Sequence, residues 1–289
     1  MPKRHKTLQI MRLIADSGST SVDWRILWED RAPEQVISGG INPVYQGESD
    51  ICEIIRASVG FCAGSVDEVW FYGAGIISEE HRRSVAAAIN TVFPVAKVYL
   101  FSDLTGAAVA LFGDKEGIAA ILGTGSNSGY YNGAQICENV RAGGFILGDE
   151  GSGAHIGKRL ISDFVKGMLP KELSVKLEQK YSLTYSSIVE SVYKSVLPSR
   201  YLAQFTYFIK ENESHPYIDG LLDEVFTEFF KRNILQYERA AQVKIGMIGS
   251  VAVVFKEQLC RAGRKLGLNI FRIEQNASDG LQAYFQSKN

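Results

Sequence analysis

Two segments of this chain, about a hundred residues apart, follow one local plan, and any fold it adopts must accommodate both. The first is IADSGSTSVDW, Ile14 to Trp24; the second is ILGTGSNSGYY, Ile121 to Tyr131. Each runs from an apolar, strand-like stretch into a tight turn of Gly, Ser and Thr or Asn, and then into a second β-prone run. A turn of this kind between two strands points backbone N–H groups and small hydroxyls outward with no bulky side chain in the way. A single copy reads more readily as a plain hairpin. Two copies at corresponding places in two similar halves suggest paired turns closing on a row of phosphates.

The pattern around each turn supports that reading. β-branched and aromatic enrichment marks strands at 8–15, 21–28 and 35–39, and longer runs with helical spacing mark helices at 51–62, 79–93 and 103–111. Strands at 68–72 and 95–101 lie between those helices. The second half restarts the order with strands at 117–122, at 129–131 joined with 135–140, and at 144–147. Helical sequence then dominates from Ser152 to about Ala241, its best member spanning 217–241, where Ile218, Leu222, Val225 and Phe229 share one face. A strand at 244–248, a helix at 250–263, a strand at 269–273 and a last helix at 278–286 close the chain. The order βββαβαβα therefore occurs twice. It predicts an α/β protein of two similar domains, 1–112 and 113–289, the second enlarged by a helical insertion at about 152–241.

Composition narrows the function. A chain of 289 residues accommodates two domains. Its formal charge is −1, and its charged residues are scattered apart from the short basic start Lys3–Lys6, so it lacks the basic footprint of a nucleic-acid binder. No apolar run approaches the ~20 residues of a membrane span, and Leu8 to Ala15 is too short for a signal segment. Cys52, Cys62, Cys137 and Cys260 fall at no metal-ligand spacing and read as free buried thiols in a reducing cytoplasm. His5, His81, His155 and His215 are isolated, which argues against structural zinc.

Five segments carry the candidate chemistry. Asp16 ends the first strand, where a carboxylate suits Mg²⁺ held through water beside phosphates, or an Asx turn within its own loop. Gly18, Ser19 and Thr20 follow it; Gly123 to Asn127 form the second turn. Asp103 opens a helix at the carboxyl end of a strand, so it either caps that helix or stands where open α/β sheets place their ligands. In GGFILGDEGSGAHIGKRL, Gly143 to Leu160, two adjacent acids lie in a glycine-rich turn and serve either a ligand or the cap of the next helix. Ile248 to Ala252 is a strand-to-helix junction of small residues, a common turn that also admits a flat base or a phosphate. Gly153 to Lys158 fails the P-loop spacing, Gly73-Ala-Gly75 lacks a third glycine at dinucleotide-binding spacing, and there is no G-x-S-x-G hydrolase elbow.

In order, DSGSTS, GTGSNS, GDEGSG and IGSV resemble the motifs of the acetate and sugar kinase/Hsc70/actin superfamily. Within it, they resemble the BadF/BadG-type ATPases and N-acetylglucosamine kinases, and the likeness covers essentially the whole chain. It implies two RNase H-like domains with nucleotide in the cleft between them, and a final helix packed back on the first domain. Gly18, Ser19 and Thr20, with Thr124, Gly125 and Ser126, would hold the phosphates of ATP, Asp16 would serve Mg²⁺, and Gly249 and Ser250 would border the adenosine. Asp103, in FSDLTGA, resembles the catalytic base of the amino-sugar kinases. Asn42, in GGINP, and Asp149 match sugar-binding residues, with Gly144, Phe145 and Glu150 completing the substrate set. The run from Gly144 through Ile146 and Leu147 into Gly148 is shorter than the family's G-G-W-G pattern, which removes part of the wall expected around an N-acetyl group.

The resemblance thus implies a cytoplasmic, ATP-dependent kinase for an amino sugar, N-acetylglucosamine foremost, with a small-molecule sugar and ATP as its partners and a homodimer left open. Two other readings remain at this level: a BadF-type ATPase driving a partner protein, and a nucleotide or sugar sensor. The first is disfavoured by the absence of clustered cysteines for an iron–sulfur centre, and the second by the presence of Asp103.

Overall fold

The computed structural model describes residues 11–18, 20–28, 30–76 and 78–288. The chain divides into two compact units, one reaching Gly113 and resuming at Asn276, the other Asp114–Gln275. The domain boundary 113–289 counted the last residues with the second domain while expecting the final helix to pack on the first; by contacts, residues from Asn276 on fall in the first unit.

The first unit contains β1 (Arg12–Ser17), β2 (Ser21–Leu27), β3 (Glu34–Gly39), α1 (Glu48–Val59), β4 (Glu68–Gly73), α2 (Glu79–Val92), β5 (Lys97–Ser102) and α3 (Asp103–Phe112). Its sheet has the order β3-β2-β1-β4-β5, antiparallel across β3, β2 and β1 and parallel across β1, β4 and β5. Leu13, Ile14 and Ala15 of central β1 are all buried, the run expected of a strand covered on both faces. One core joins Leu13, Ala15, Trp24 and Phe71 of the sheet to Ile51 and Ile55 of α1 and Val85 and Ile89 of α2. Each fully buried side chain of this size contributes roughly 1.5–3 kcal/mol. The expected helix at 51–62 starts three residues earlier, with Gly47 as its N-cap, and gives way to a 3₁₀ turn at Gly60–Cys62. The predicted first strand began at Leu8; Leu8 to Ile10 lie outside the described residues.

The second unit holds β6 (Glu116–Leu122), β7 (Ser126–Asn132), β8 (Ile136–Glu138), α4 (Gly144–Leu147), α5 (Gly153–Val165), α6 (Lys171–Tyr181), α7 (Tyr185–Tyr193), α8 (Pro198–Ala203), α9 (Thr206–Glu211), α10 (Pro216–Arg232), β9 (Ile245–Ile248), α11 (Ser250–Val254), α12 (Lys256–Lys265) and β10 (Ile270–Glu274). Its sheet order, β10-β9-β6-β7-β8, is the order of the first sheet read from the other end, with the same parallel and antiparallel pairs. The chain ends in α13 (Ser278–Gln286), which packs on α3, β2 and β1 within the first unit. Arg25 anchors it, bonding Asp279 at 2.9 Å and Gln282 at 3.2 Å.

Several boundaries differ from the sequence expectation, each for a local reason. The stretch 144–147 is one helical turn rather than a strand. Gly143 and Gly144 turn the chain at φ values of 77° and 72°, and Ile146 and Leu147 remain exposed instead of pairing with a sheet. The single strand predicted across 129–140 is a hairpin, β7 and β8, because Asn132 Oδ1 accepts the N–H groups of Ala134 and Gln135 around Gly133 at φ 94°. The long helix predicted to Ala241 stops at Arg232 and passes into a 3₁₀ turn at Ile234–Gln236. The helix predicted over 250–263 breaks at buried Phe255 into α11 and α12. All four cysteines are free; Cys52 and Cys62 are buried, but Cys137 on the edge strand β8 is exposed. Among the described residues no helix is long and apolar enough to cross a membrane.

Candidate active site

In the first unit the parallel strands β1, β4 and β5 end in register, and their carboxyl ends gather the polar residues. Asp16 pairs with Tyr72, and Tyr72 with Phe101; one step on, Ser17 pairs with Gly73, and Gly73 with Ser102. Asp103 follows immediately. Ser102, not Asp103, is the N-cap of α3, accepting the Thr105 N–H through Oγ at 3.2 Å. Asp103 Oδ1 accepts the adjacent Leu104 N–H at 2.8 Å. Ser102 thus supplies the N-cap of α3, and Asp103, bound to one first-turn amide, stands at the strand ends.

Asp16 is engaged by a segment far along the chain. Its Oδ2 accepts the N–H of Ala277 at 2.9 Å and the hydroxyl of Ser278 at 3.2 Å, at the start of α13. Burial raises the Asp103 carboxyl to about 6, against the Leu104 N–H and with help from the Asp16 charge. Burial also raises Asp16, against its bonds to Ala277 and Ser278. Among the described residues neither carboxylate forms an ion pair with a Lys, Arg or His side chain.

The first small-residue turn is closed by Gly18 N–H donating to Ser21 O at 3.0 Å, and Thr20 O accepts from Gly40 N–H at 3.0 Å. Ser19 lies outside the described residues. Asn42 is nearly buried, with Oδ1 accepting the Val44 N–H at 3.0 Å and its own N–H donating to Gln46 Oε1 at 2.7 Å. A Cβ at Gly75 (φ 76°) would collide with Asn42 Oδ1. The Gly73-Ala-Gly75 stretch, set aside on sequence for lacking a third glycine, thus serves the seat of Asn42. Ala74 N–H ties the same stretch to Ser17 O at 2.9 Å.

In the second unit three glycine-rich segments converge on the end of β6. The turn Gly123–Gly125 is closed by Gly123 N–H to Gly125 O at 3.0 Å, and the first amides of α5 bind it: Gly153 N–H donates to Gly123 O at 2.8 Å and Ala154 N–H to Thr124 O at 3.0 Å. Gly249 adopts φ 126°, and a Cβ there would collide with the Leu122 carbonyl. Ser250 is exposed at the first position of α11. Asp149 lies against the turn, its Oδ2 2.9 Å from where a Gly125 Cβ would sit, and it accepts the Ser126 N–H. Burial, opposed by that bond, raises its carboxyl. Ser152, not an acid, caps α5, accepting the His155 N–H at 3.1 Å.

Three residues expected at the ligand are otherwise engaged. Ser126 is buried and donates its hydroxyl to Glu150 O at 2.8 Å, so it braces the turn, while Thr124 is exposed and Gly125 half-buried. Glu150 is held by the protein itself, Oε1 by Arg232 Nε at 2.6 Å and Oε2 by Asn233 Nδ2 at 3.2 Å. Burial works against the ionised form, but these bonds hold Glu150 below the ordinary carboxylate range. Phe145 lines an apolar cavity of about 480 Å³ with residues of α5, α7 and α8, and neither Asp149 nor Asn42 lines that cavity. Gly144 opens the short α4, which Lys158 fastens by donating to Phe145 O at 2.9 Å.

Two sheets of one order, each with a small-residue turn between its first two strands, define the actin-like ATPase fold. No protein-family model and no curated protein sequence matches this chain. Among solved structures it resembles a Porphyromonas gingivalis protein provisionally named N-acetylglucosamine kinase. The two are 37% identical over 96% of this chain and 99% of that one, with a TM-score of 0.89. A Chromobacterium violaceum protein with the same provisional name shares the fold at 16% identity, covering 96% of this chain and 99% of its own, with a TM-score of 0.76. A ROK-family glucokinase from Streptomyces griseus, solved with glucose and AMPPNP, shares it at 12% identity and a TM-score of 0.53, over 96% of this chain and 98% of its own. On the first of these likenesses, the chain belongs to the BadF/BadG-type ATPase and N-acetylglucosamine kinase family.

Proposed function

We propose that the protein transfers the γ-phosphoryl group of ATP to a hydroxyl of an amino sugar, with N-acetylglucosamine as the leading substrate. The observation that carries this reading is Asp103: a half-buried carboxylate, beside the Ser102 helix cap and raised to about 6, at the carboxyl ends of three parallel strands. A general base works best when its pKa lies near the operating pH. Asp103 accepts the proton of the attacking sugar hydroxyl. Asn42, rigidly seated against Gly75, and Asp149, fixed by the Ser126 N–H, orient the sugar hydroxyls. The turns that carry Gly18 and Thr20, and Thr124 and Gly125, offer N–H groups and hydroxyls to the phosphates, and Gly249 and Ser250 border the adenosine. Phosphoryl transfer asks mainly for such positioning and charge stabilisation.

The donor set fits Mg²⁺. Among the described residues no group of three or more His, Cys, Asp or Glu side chains is placed to hold a metal. Mg²⁺ in kinases is held by one or two carboxylates with phosphate oxygens and water, which Asp16 can supply, with Asp103 as its nearby carboxylate. When bound, the ion neutralises charge on the phosphates.

A coupled ADP-release assay over hexoses, hexosamines and N-acetylhexosamines, with a sugar-free control, tests the reading. N-acetylhexosamine-dependent turnover is the expected result. ATP hydrolysis indifferent to sugar would instead mark an ATPase, and nucleotide binding without turnover a sensor.

A further inference from the structure

His155 occupies an unusual place for a histidine: it is buried, sits on the first turn of α5, and turns its ring back on the loop that carries Asp149. Asp149 to Ser152 form a β-turn closed by Ser152 N–H to Asp149 O at 3.1 Å, with Gly151 at φ 76°, the positive third position of a type II turn. The Glu150–Gly151 peptide at its centre is held from both sides. Its N–H donates to His155 Nδ1 at 3.2 Å, and its carbonyl accepts the Ser126 hydroxyl at 2.8 Å. Types I and II differ by a flip of that central peptide, so the two bonds together select one orientation. The same turn places Asp149 at φ 55°, an uncommon backbone for a side-chain-bearing residue, beside Gly125.

We propose that His155 is a positioning residue for substrate binding: its unprotonated Nδ1 locks the Glu150–Gly151 peptide, this fixes Asp149 against the sugar, and protonation of the ring releases the lock. The chemistry is that of one proton. Neutral imidazole with its hydrogen on Nε2 presents Nδ1 as an acceptor; the imidazolium carries N–H on both nitrogens and meets the Gly151 N–H donor to donor. Nε2 faces Glu228 Oε2 of α10 at 3.7 Å, a carboxylate shared with Arg159 of α5 at 3.9 Å. The other charges felt by the ring are Lys158 on its own helix and Glu150 in the turn. Burial outweighs the two acids and keeps the imidazole neutral near pH 7.

The inference rests on Asp149 contacting the sugar, and the experiment separates the two ideas. N-acetylglucosamine binding is measured by calorimetry from pH 7.5 to 5.0 on the native protein, His155→Asn, His155→Ala and Asp149→Ala, with circular dichroism confirming each fold. Asparagine keeps an acceptor oxygen close to the Nδ1 position but does not titrate. It should bind like the native protein at pH 7.5 and lack about threefold or more of the weakening that the native protein shows by pH 5.0. Alanine should bind about tenfold more weakly throughout, since it strands a buried N–H. Titration of Asp103 or Asp149 affects native and Asn proteins alike, so the difference between them reports His155. An Asn variant that keeps the full native pH dependence overturns the proposal, as does an Ala variant of native affinity. If Asp149→Ala binds the sugar normally, the assignment of Asp149 itself fails, and the proposal with it. If His155→Ala does not fold, the Asn comparison alone decides.

Discussion

The two sheets share one strand order, yet the groups at their carboxyl ends are built in different ways. The first unit presents carboxylates: Asp16 and Asp103, both raised by burial, with Asp103 raised further by the charge of Asp16. The second unit presents mainly backbone beside one carboxylate, Asp149: turns at Gly123–Gly125 and Asp149–Ser152 stitched to α5, and a junction at Gly249 set against Leu122. Charged groups can do proton chemistry and attract a cation but are costly to bury. Backbone turns bind phosphate and shape a pocket without changing charge. On the function proposed above, the base falls on one copy, while recognition is shared between Asn42 on the first and Asp149 on the second. Their coverings also differ. The helices α5 to α10 extend only the second unit, and their core of Phe205, Phe208, Phe226, Phe229 and Phe230 gives its loops a rigid backing.

The sharpest way to break the comparison is Asp103→Asn, which keeps shape and removes the base. It should lower kcat about 10²–10⁴-fold while leaving nucleotide affinity near native, measured by turnover and by titration with a fluorescent ATP analogue. Comparable turnover in the variant would remove the first unit's claim to the chemistry. The matching test on the second unit is Gly249→Ala. A Cβ at φ 126° collides with the Leu122 carbonyl, so the folded state should lose about 3 kcal/mol and nucleotide affinity should fall, as followed by thermal melting with and without nucleotide.

A smaller effect comes from pH. A base whose carboxyl lies at about 6 is active when ionised, so kcat should be flat above neutrality and fall as pH drops through about 6, by roughly tenfold at pH 5. An acid limb centred near 4, measured at saturating sugar and ATP, would mean that Asp103 is not raised, or is not the base. Smallest is Glu150→Gln. It weakens the tie to Arg232, which is largely exposed, so the loss should be about 1 kcal/mol, with kcat within about twofold of native. A large rise in sugar KM would instead return Glu150 to the substrate.

Much of this was legible in the sequence because it depends on local spacing. The repeated βββαβαβα order, the two small-residue turns, Asp103 at a strand end and the glycine-flanked Asp149 can all be read from residues near one another. Less legible were element ends governed by single backbone angles, as at Gly143 and Gly144, where an apolar run of strand character became one helical turn. Ser126 and Glu150 were read as ligand residues because their type and motif suit a ligand. Only the neighbours supplied by α10 and by the turn itself show that they brace the loop.

By itself the sequence determined the alternation of strands and helices, the doubling of that order and the residue types available for phosphate, sugar and proton. The tertiary structure decided which of them are free to act. Helix α13, returning from the far end of the chain, took one oxygen of Asp16; Gly75 made the seat for Asn42; and Ser126 reached across to the Glu150 carbonyl. Hydrogen-bond partners brought together from distant parts of the chain decide whether a polar side chain is satisfied within the protein or left for a ligand. Local spacing cannot encode that choice.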